Sequence, residues 1–277
     1  MAKFQIVIDN TAVFADVQKC APDVVLPISF TIDGNTLEKV DEVEVRAAHK
    51  EGRSVRTQIT PKDSTLALEK LLEEGKDVLL ISVSSGLSES FAAAKYITQG
   101  LQIKYPNRKI VLVDSLSCGA GEGLLFALAT KWQQEGLTID EVADKLNLAK
   151  LNLHHLFTTD DAGILGNSGL IAPAAVVNIT PIFDFGASGH VCVFQKTLGK
   201  KKSLSDIVKY VAKTLNGELC PTVVISYGAE SDAQTIGKGI LAQVPEANVV
   251  YAKENQFVTA YLGDNSIAVC FFGEARK

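Results

Sequence analysis

Residues 78–94 read VLLISVSSGLSESFAAA, and the fold turns on how that stretch is divided. Val78 to Ile81 are branched or apolar, the composition of a buried strand. Phe91 to Ala94 open a run of helix formers. The junction between them holds five hydroxyls: Ser82, Ser84, Ser85, Ser88 and Ser90. A strand that feeds directly into a helix is half of a crossover unit, and crossover units build parallel sheets.

The same rhythm runs outward in both directions. FQIVID (4–9) reads as a buried strand, and VVLPISFTIDG (24–34) as extended chain with Pro27 at an edge or a bend. DSTLALEKLLEEG (63–75) has helical spacing, an Asp/Ser cap and a stop at Gly75. The helix after the serines ends before Pro106. KIVLVDS (109–115) is another strand, and GEGLLFALATKWQQEG (121–136) another helix. TIDEVADKLNLAKLN (138–152) is a helix with Thr138 as its cap. Beyond it come short strand-like runs near residues 154–161, 172–185, 190–199, 222–228, 248–254 and 266–273. Two helices, near 204–217 and 232–244, are interspersed among them. The expected fold class is α/β: an N-terminal parallel-sheet α/β/α domain over residues 1–149 and a C-terminal α+β domain over residues 150–277.

Composition narrows the function. The 277 residues are 47% hydrophobic and 21% charged, enough for a substantial core. A net charge of −5 gives no basic footprint for nucleic acid. The Lys200–Lys202 run reads as a solvated turn, and so does the Asp160–Asp161 pair. Five cysteines without CxxC spacing argue against a disulfide framework or a zinc site and suit the cytoplasm. No apolar run reaches the ~18 residues of a membrane span, and the start reads as a first strand rather than a signal peptide.

In open parallel sheets, ligands bind at the carboxyl ends of the strands. Asp9, Asn10, Thr11, Ser84, Ser85, Asp114 and Ser115 fall at such ends. A serine nucleophile needs a base in reach, but VSSGLSES lacks the G-x-S-x-G elbow, and His49, His154, His155 and His190 form no triad motif. GAGEG (119–123) is G-x-G-x-G, not the dinucleotide fingerprint; its glycines let a helix approach the sheet closely. No cofactor or metal is expected. One serine suffices to cap the following helix. The surplus hydroxyls, at the positive end of that helix, suit an anion such as a carboxylate or phosphate.

These segments resemble a known family. ISVSSGLSESFAAA is similar to the S-S-x-L-S-G-T-Y-x-S-A signature of the DegV family, and IVLVDSLSCGAGEGLLF (110–126) to its D-S-x-x-x-S-x-G-x-G-L-L segment. LPISFTIDGNT, RTQITPKD and VIDNTA resemble its P-L-x-V-x-x-x-G, T-S-Q-P-S-P-x-D and D-S-T motifs in the same order. NITPIFDFGASG (178–189) matches more faintly. The resemblance implies a non-enzymatic protein that buries one long-chain fatty acid and, in many bacteria, presents it to a fatty acid kinase. It implies that Thr57, Ser84, Ser85 and Ser88 hold the carboxylate.

Several positions depart from the family pattern. Arg56 replaces a Thr, and points either to the carboxylate or to solvent. Glu89 replaces a Gly. Tyr261 stands at a head-group His, where it either donates to the carboxylate or serves as a core aromatic. Leu170 and Leu198 stand at the usual Arg positions near the kinase-docking surface, which weakens the kinase partner more than lipid binding. The competing readings are an acyl- or phosphoryl-transfer enzyme using the same serine-rich rim, and an interaction module whose serines only cap.

Overall fold

The computed structural model describes residues 4–15, 22–37, 39–160, 162–172, 179–228 and 230–276. Strand β1 (Phe4–Asp9) buries Ile6, Val7 and Ile8, so both of its faces are covered. It pairs in parallel with β2 (Val24–Leu26). Pro27 follows and the chain leaves that sheet. β3 (Ile28–Ile32) joins a separate antiparallel sheet with β4 (Asn35–Thr36) and β5 (Val55–Ile59). Asp33 and Gly34, both at positive φ (50° and 84°), form the two-residue turn between β3 and β4, the left-handed pair that a tight hairpin requires.

Between β4 and β5 lies α1 (Glu42–Lys50), capped by the Asp41 carboxylate, which accepts from the Val43 and Glu44 N–H groups. α2 (Pro61–Glu73) begins two residues before the expected Asp63/Ser64 cap. Pro61 takes the first-turn position, where its missing N–H costs nothing.

β6 (Asp77–Ser82) runs into a serine loop and then α3 (Ser90–Lys104). β7 (Ile110–Asp114), α4 (Gly119–Gln134) and α5 (Ile139–Ala149) follow. Thr138 and Glu141 form a reciprocal capping box at the start of α5, as the sequence suggests. The four-stranded sheet is parallel throughout, in the order β2-β1-β6-β7.

A 3-10 turn at Lys150–Asn152 leads to β8 (Leu153–Thr158), α6 (Ala162–Asn167), β9 (Thr180–Phe185) and β10 (Val191–Thr197). Then come α7 (Lys200–Thr214), β11 (Thr222–Tyr227), α8 (Glu230–Gln243), β12 (Asn248–Lys253), α9 (Gln256–Leu262) and β13 (Ile267–Phe272). The second sheet, β10-β9-β8-β13-β11-β12, is mixed, with β11 and β12 its one parallel pair. A parallel sheet followed by a mixed sheet is the α/β class the sequence predicts.

Local readings change. α6 and α9 add to the two helices expected in the second half. The lysine run is largely solvated but is no turn: it opens α7, where Lys200 bridges Asp160 and Asp232, and Lys202 pairs with Asp206. Asp161 and Cys20 lie outside the described residues.

α4 is the shared layer. It packs on β1 and β6 on one side and on β8, β11 and β13 on the other. One hydrophobic cluster therefore runs from Ile8 and Leu79 through Leu124 and Leu125 to Phe183, Cys270 and Phe272. Burying side chains of this size contributes ~1.5–3 kcal/mol each.

The rim of the parallel sheet faces the second sheet and is tied to it by hydrogen bonds. The Asn255 side chain, which also caps α9, donates to the carbonyls of Asn10, Thr11 and Ala12. Arg276 donates to the carbonyls of Leu116, Phe185 and Lys150.

Candidate functional site

A deep cavity lies where that rim meets the second sheet, with about 640 Å³ between its wall atoms, part of it open to solvent. Val83 and Leu87 from the serine loop, Phe157 and Phe185 from β8 and β9, and Phe257 and Val258 from α9 make its wall largely apolar. A second, shallower groove carries Arg56, Ser85, Glu89 and Ser168. Thr57, Ser88, Tyr261, Leu87 and Leu170 line both spaces. The three hydroxyl residues Thr57, Ser88 and Tyr261 thus stand where the apolar interior opens to the polar exterior.

Each is positioned by its element. Thr57 sits on β5 opposite Phe30 of β3. Its hydroxyl donates to Ser88 Oγ at 3.1 Å, and Ser88 Oγ donates back to the Thr57 carbonyl at 2.6 Å. Ser88 Oγ also accepts from the Ser90 N–H at the start of α3. Ser90 Oγ in turn accepts from the Ile59 N–H, fixing α3 against β5. Tyr261 arrives on α9, tilted against Phe30 and His49 with ring centroids 6.0 and 4.9 Å away. Burial pushes its phenol up to about 12, opposed by a hydrogen bond with Thr57. The phenol is therefore a neutral donor.

The other three expected head-group residues are placed differently. Ser84 lines neither space. Its hydroxyl donates to the Gly189 carbonyl at 2.8 Å and accepts from the Gly86 N–H. That bond locks the serine loop onto the β9–β10 turn, where a Cβ on Gly86 would come within 2.6 Å of the Gly189 backbone. Ser85 is exposed at the outer groove, and its N–H donates to Asp114. Arg56 is exposed and pairs with Glu89 at 2.5 Å, so the two departures from the family pattern neutralise each other outside the cavity. Leu170, at an expected Arg position, lines the cavity mouth. Leu198 is exposed at the end of β10, away from both spaces.

The interior wall has a few polar members. The Thr11 hydroxyl lies 2.6 Å from Asp9 Oδ1 and 2.8 Å from Glu122 Oε2. One hydroxyl has one proton to give. Asp9 also accepts from the Thr11 and Val83 N–H groups, whereas Glu122 Oε1 has no partner among the described residues. Burial, followed by the Asp9 charge, holds Glu122 well above the ordinary carboxyl range. Burial raises Asp9 as well, but its hydrogen bonds from Thr11 and Val83 oppose that shift. His155 meets Ser117 Oγ at 3.1 Å through Nδ1, and burial pulls it down to about 4, so it is neutral. Burial pushes the Cys118 thiol up, making it inert.

A family model described as "Uncharacterised protein, DegV family" matches residues 3–274. The chain belongs to the DegV family. The DegV domain-containing protein YteA of Lactococcus lactis is 27% identical over 287 residues, covering 99% of this chain and 98% of YteA. Two solved DegV-type structures share the fold. The fatty acid binding DegV family protein SAG1342 from Streptococcus agalactiae has a TM-score of 0.80 at 21% identity, covering 99% of this chain and all of that one. The Streptococcus pneumoniae fatty acid kinase (Fak) B3 protein, loaded with linoleic acid, has a TM-score of 0.82 at 17% identity, covering 98% of this chain and all of that one.

The DegV chain has no group of three or more metal-type side chains placed to hold an ion among its described residues. Nor does any rim serine in the described residues have a histidine in hydrogen-bond reach. The Ser–His contacts that occur are Ser117–His155 in the core and Ser188–His190 in an exposed turn. Cys118, Phe257 and Leu170 were not expected as wall residues from sequence. They come from three remote segments, and no local pattern marks residues that meet only on folding.

Proposed function

We propose that this DegV-family chain binds one long-chain fatty acid, with the acyl chain in the cavity and the carboxyl at Thr57, Ser88 and Tyr261. The carrying observation is the junction itself: a largely apolar interior whose mouth is ringed by three hydroxyls. Each buried methylene contributes ~0.8 kcal/mol, so about twelve supply roughly 10 kcal/mol before the costs of association. The head group then needs hydrogen bonds chiefly to avoid a buried, unpaired charge. Neutral donors meet that need. SAG1342 is named for fatty acid binding and Fak B3 holds linoleic acid, which supports the same ligand class here.

In this reading Ser84 shapes the loop, while Ser85 and the Arg56–Glu89 pair form the outer approach. The protein performs no catalysis of its own. An acyl- or phosphoryl-transfer enzyme would need a base beside an accessible serine; Ser84, Ser85 and Ser88 have none in hydrogen-bond reach among the described residues, and Ser117, which meets His155, is fully buried. Presentation of the carboxyl to a fatty acid kinase belongs to the proposal, because the outer groove gives access to the head-group end. Leu170 and Leu198 make the docking surface less basic than the family pattern. The cysteine usage suits the cytoplasm, and no described helix is long and apolar enough to cross a membrane.

The test is native mass spectrometry of freshly purified protein, followed by identification of what denaturation releases. One fatty acid per chain is expected. A clean apo mass with no uptake of added fatty acid refutes the proposal. Acyl-phosphate formation with a fatty acid kinase and ATP tests the partner separately.

A further inference from the structure

His49 is 1% exposed, yet neither of its ring nitrogens has a hydrogen-bond partner among the described residues. A neutral imidazole has one N–H to donate and one lone pair to fill. Leaving such a group unmet is destabilising, and buried polar atoms in native proteins nearly always find a protein or water partner. Burial alone sets its protonation, pulling it down to about 4, so the ring is neutral.

Its location says what that partner serves. Glu42, Val45, Arg46 and His49 follow helical i, i+3, i+4, i+7 spacing and share one face of α1. That face packs on α9. Glu42 accepts from the Thr259 hydroxyl, and Arg46 reaches the Thr259 carbonyl and Asp264 at 2.8 Å. These contacts hold the turn that carries Tyr261. The His49 ring lies against the Tyr261 ring, 4.9 Å between centroids at 48°. The unmet imidazole therefore stands directly behind one wall of the junction where the Thr57 and Ser88 hydroxyls meet.

We propose that His49 is a further head-group residue: its N–H, carried past Tyr261 by one bridging water, completes the hydrogen bonding of the bound carboxyl. It makes the pocket prefer a free fatty acid to the alcohol of the same chain. This inference rests on the fatty-acid reading above. A bridging water holds nearly as well as a direct bond, and a donor to a charged group is worth more than one to a neutral group.

The test uses the delipidated full-length chain with hexadecanoic acid and hexadecanol as probes, comparing wild type with His49→Leu and His49→Gln. His49→Leu removes both unmet nitrogens, so its melting temperature is expected to hold or rise. Its acid affinity is expected to fall ~10-fold, the scale of one hydrogen bond to a charged group, with alcohol affinity unchanged. His49→Gln, which keeps a donor and an acceptor, is expected to retain most of the preference. Equal acid affinity in wild type and His49→Leu overturns the inference. Should His49→Leu fail to fold, the wild-type ring nitrogens decide by NMR. They are expected to shift with acid and not with alcohol, and identical responses to both overturn it. A wild-type chain that binds neither probe refutes the fatty-acid reading itself, and this one with it.

Discussion

Ser88 Oγ donates to the Thr57 carbonyl at 2.6 Å and accepts from the Thr57 hydroxyl at 3.1 Å. This two-way pairing joins the start of α3 to β5 and aligns two hydroxyls at the mouth of the cavity. The two residues nevertheless carry separable roles. Thr57→Val keeps the shape of the side chain and removes its donor. It is expected to weaken fatty acid binding ~10-fold and to cost ~1 kcal/mol of stability, since the buried Tyr261 hydroxyl loses its partner. Ser88→Ala also removes the acceptor for the Ser90 N–H, so it is expected to lose ~1 kcal/mol of stability as well. Ligand titration and thermal denaturation of both variants check these losses.

Ser84→Ala supplies the contrast. The substitution leaves the Gly189 carbonyl and the Gly86 N–H without their partner. A stability loss of ~1–3 kcal/mol is expected. The preference for acid over alcohol should stay at the wild-type value, since this hydroxyl faces the β9–β10 turn. A lost preference at unchanged stability would move Ser84 into the head-group site.

Cavity shape should set chain length. Val191 is buried, pairs with Phe185 and lines the inner wall. Val191→Phe adds bulk there at ~1–3 kcal/mol of strain. Fatty acids extracted from the variant are expected to be shorter than those from the wild type. An unchanged chain-length distribution would place the acyl tail elsewhere.

Glu254 gives a pH signature. Burial pushes it up to about 7, against the lowering effect of hydrogen bonds with Ser266 and Ser226. The folded state therefore binds this proton more tightly than the unfolded chain. Its contribution is fully present below the unfolded pKa of 4.5 and is lost as pH rises toward 7 and above. The total change is about 3 kcal/mol. His49 and His155, both pulled down to about 4, act in the opposite sense below pH 6.5. The informative quantity is thus the difference between Glu254→Gln and wild type. Denaturant titrations from pH 4.5 to 8 are expected to show the variant gaining relative stability as pH rises. A constant difference would contradict the assignment.

Much of the parallel-sheet layer was legible because its determinants are local. Apolar runs, the stop at Gly75 and the Thr138 cap all lie within a few residues of what they specify. Pro27 signalled a bend, and it marks the change of sheet. The hairpin at Asp33–Gly34 had a sequence signal that the extended reading of 24–34 passed over. α1 was missed because EVEVRAAHK is polar on most faces, and α9 because seven residues are too short for periodicity to speak. Thr57 and Ser88, which the family resemblance singled out, both line the cavity mouth. Ser84 was not distinguishable from Ser88 by sequence, since what separates them is Gly189, over a hundred residues away.

The two segments expected as domains, 1–149 and 150–277, meet after α5, and we propose that they are topological units sharing one core. The cluster that passes through α4 predicts a single cooperative unfolding transition by calorimetry. Two resolved transitions would show independent folding.

The most direct measurement is a crystal structure of the delipidated chain reloaded with a fatty acid brominated at its terminal carbon. The account predicts the carboxyl in hydrogen-bond reach of Thr57, Ser88 and Tyr261, and the bromine signal among Phe157, Phe185 and Val191. A carboxyl at the inner aromatic end, or an acyl chain lying in the outer groove with the cavity unfilled, would contradict it.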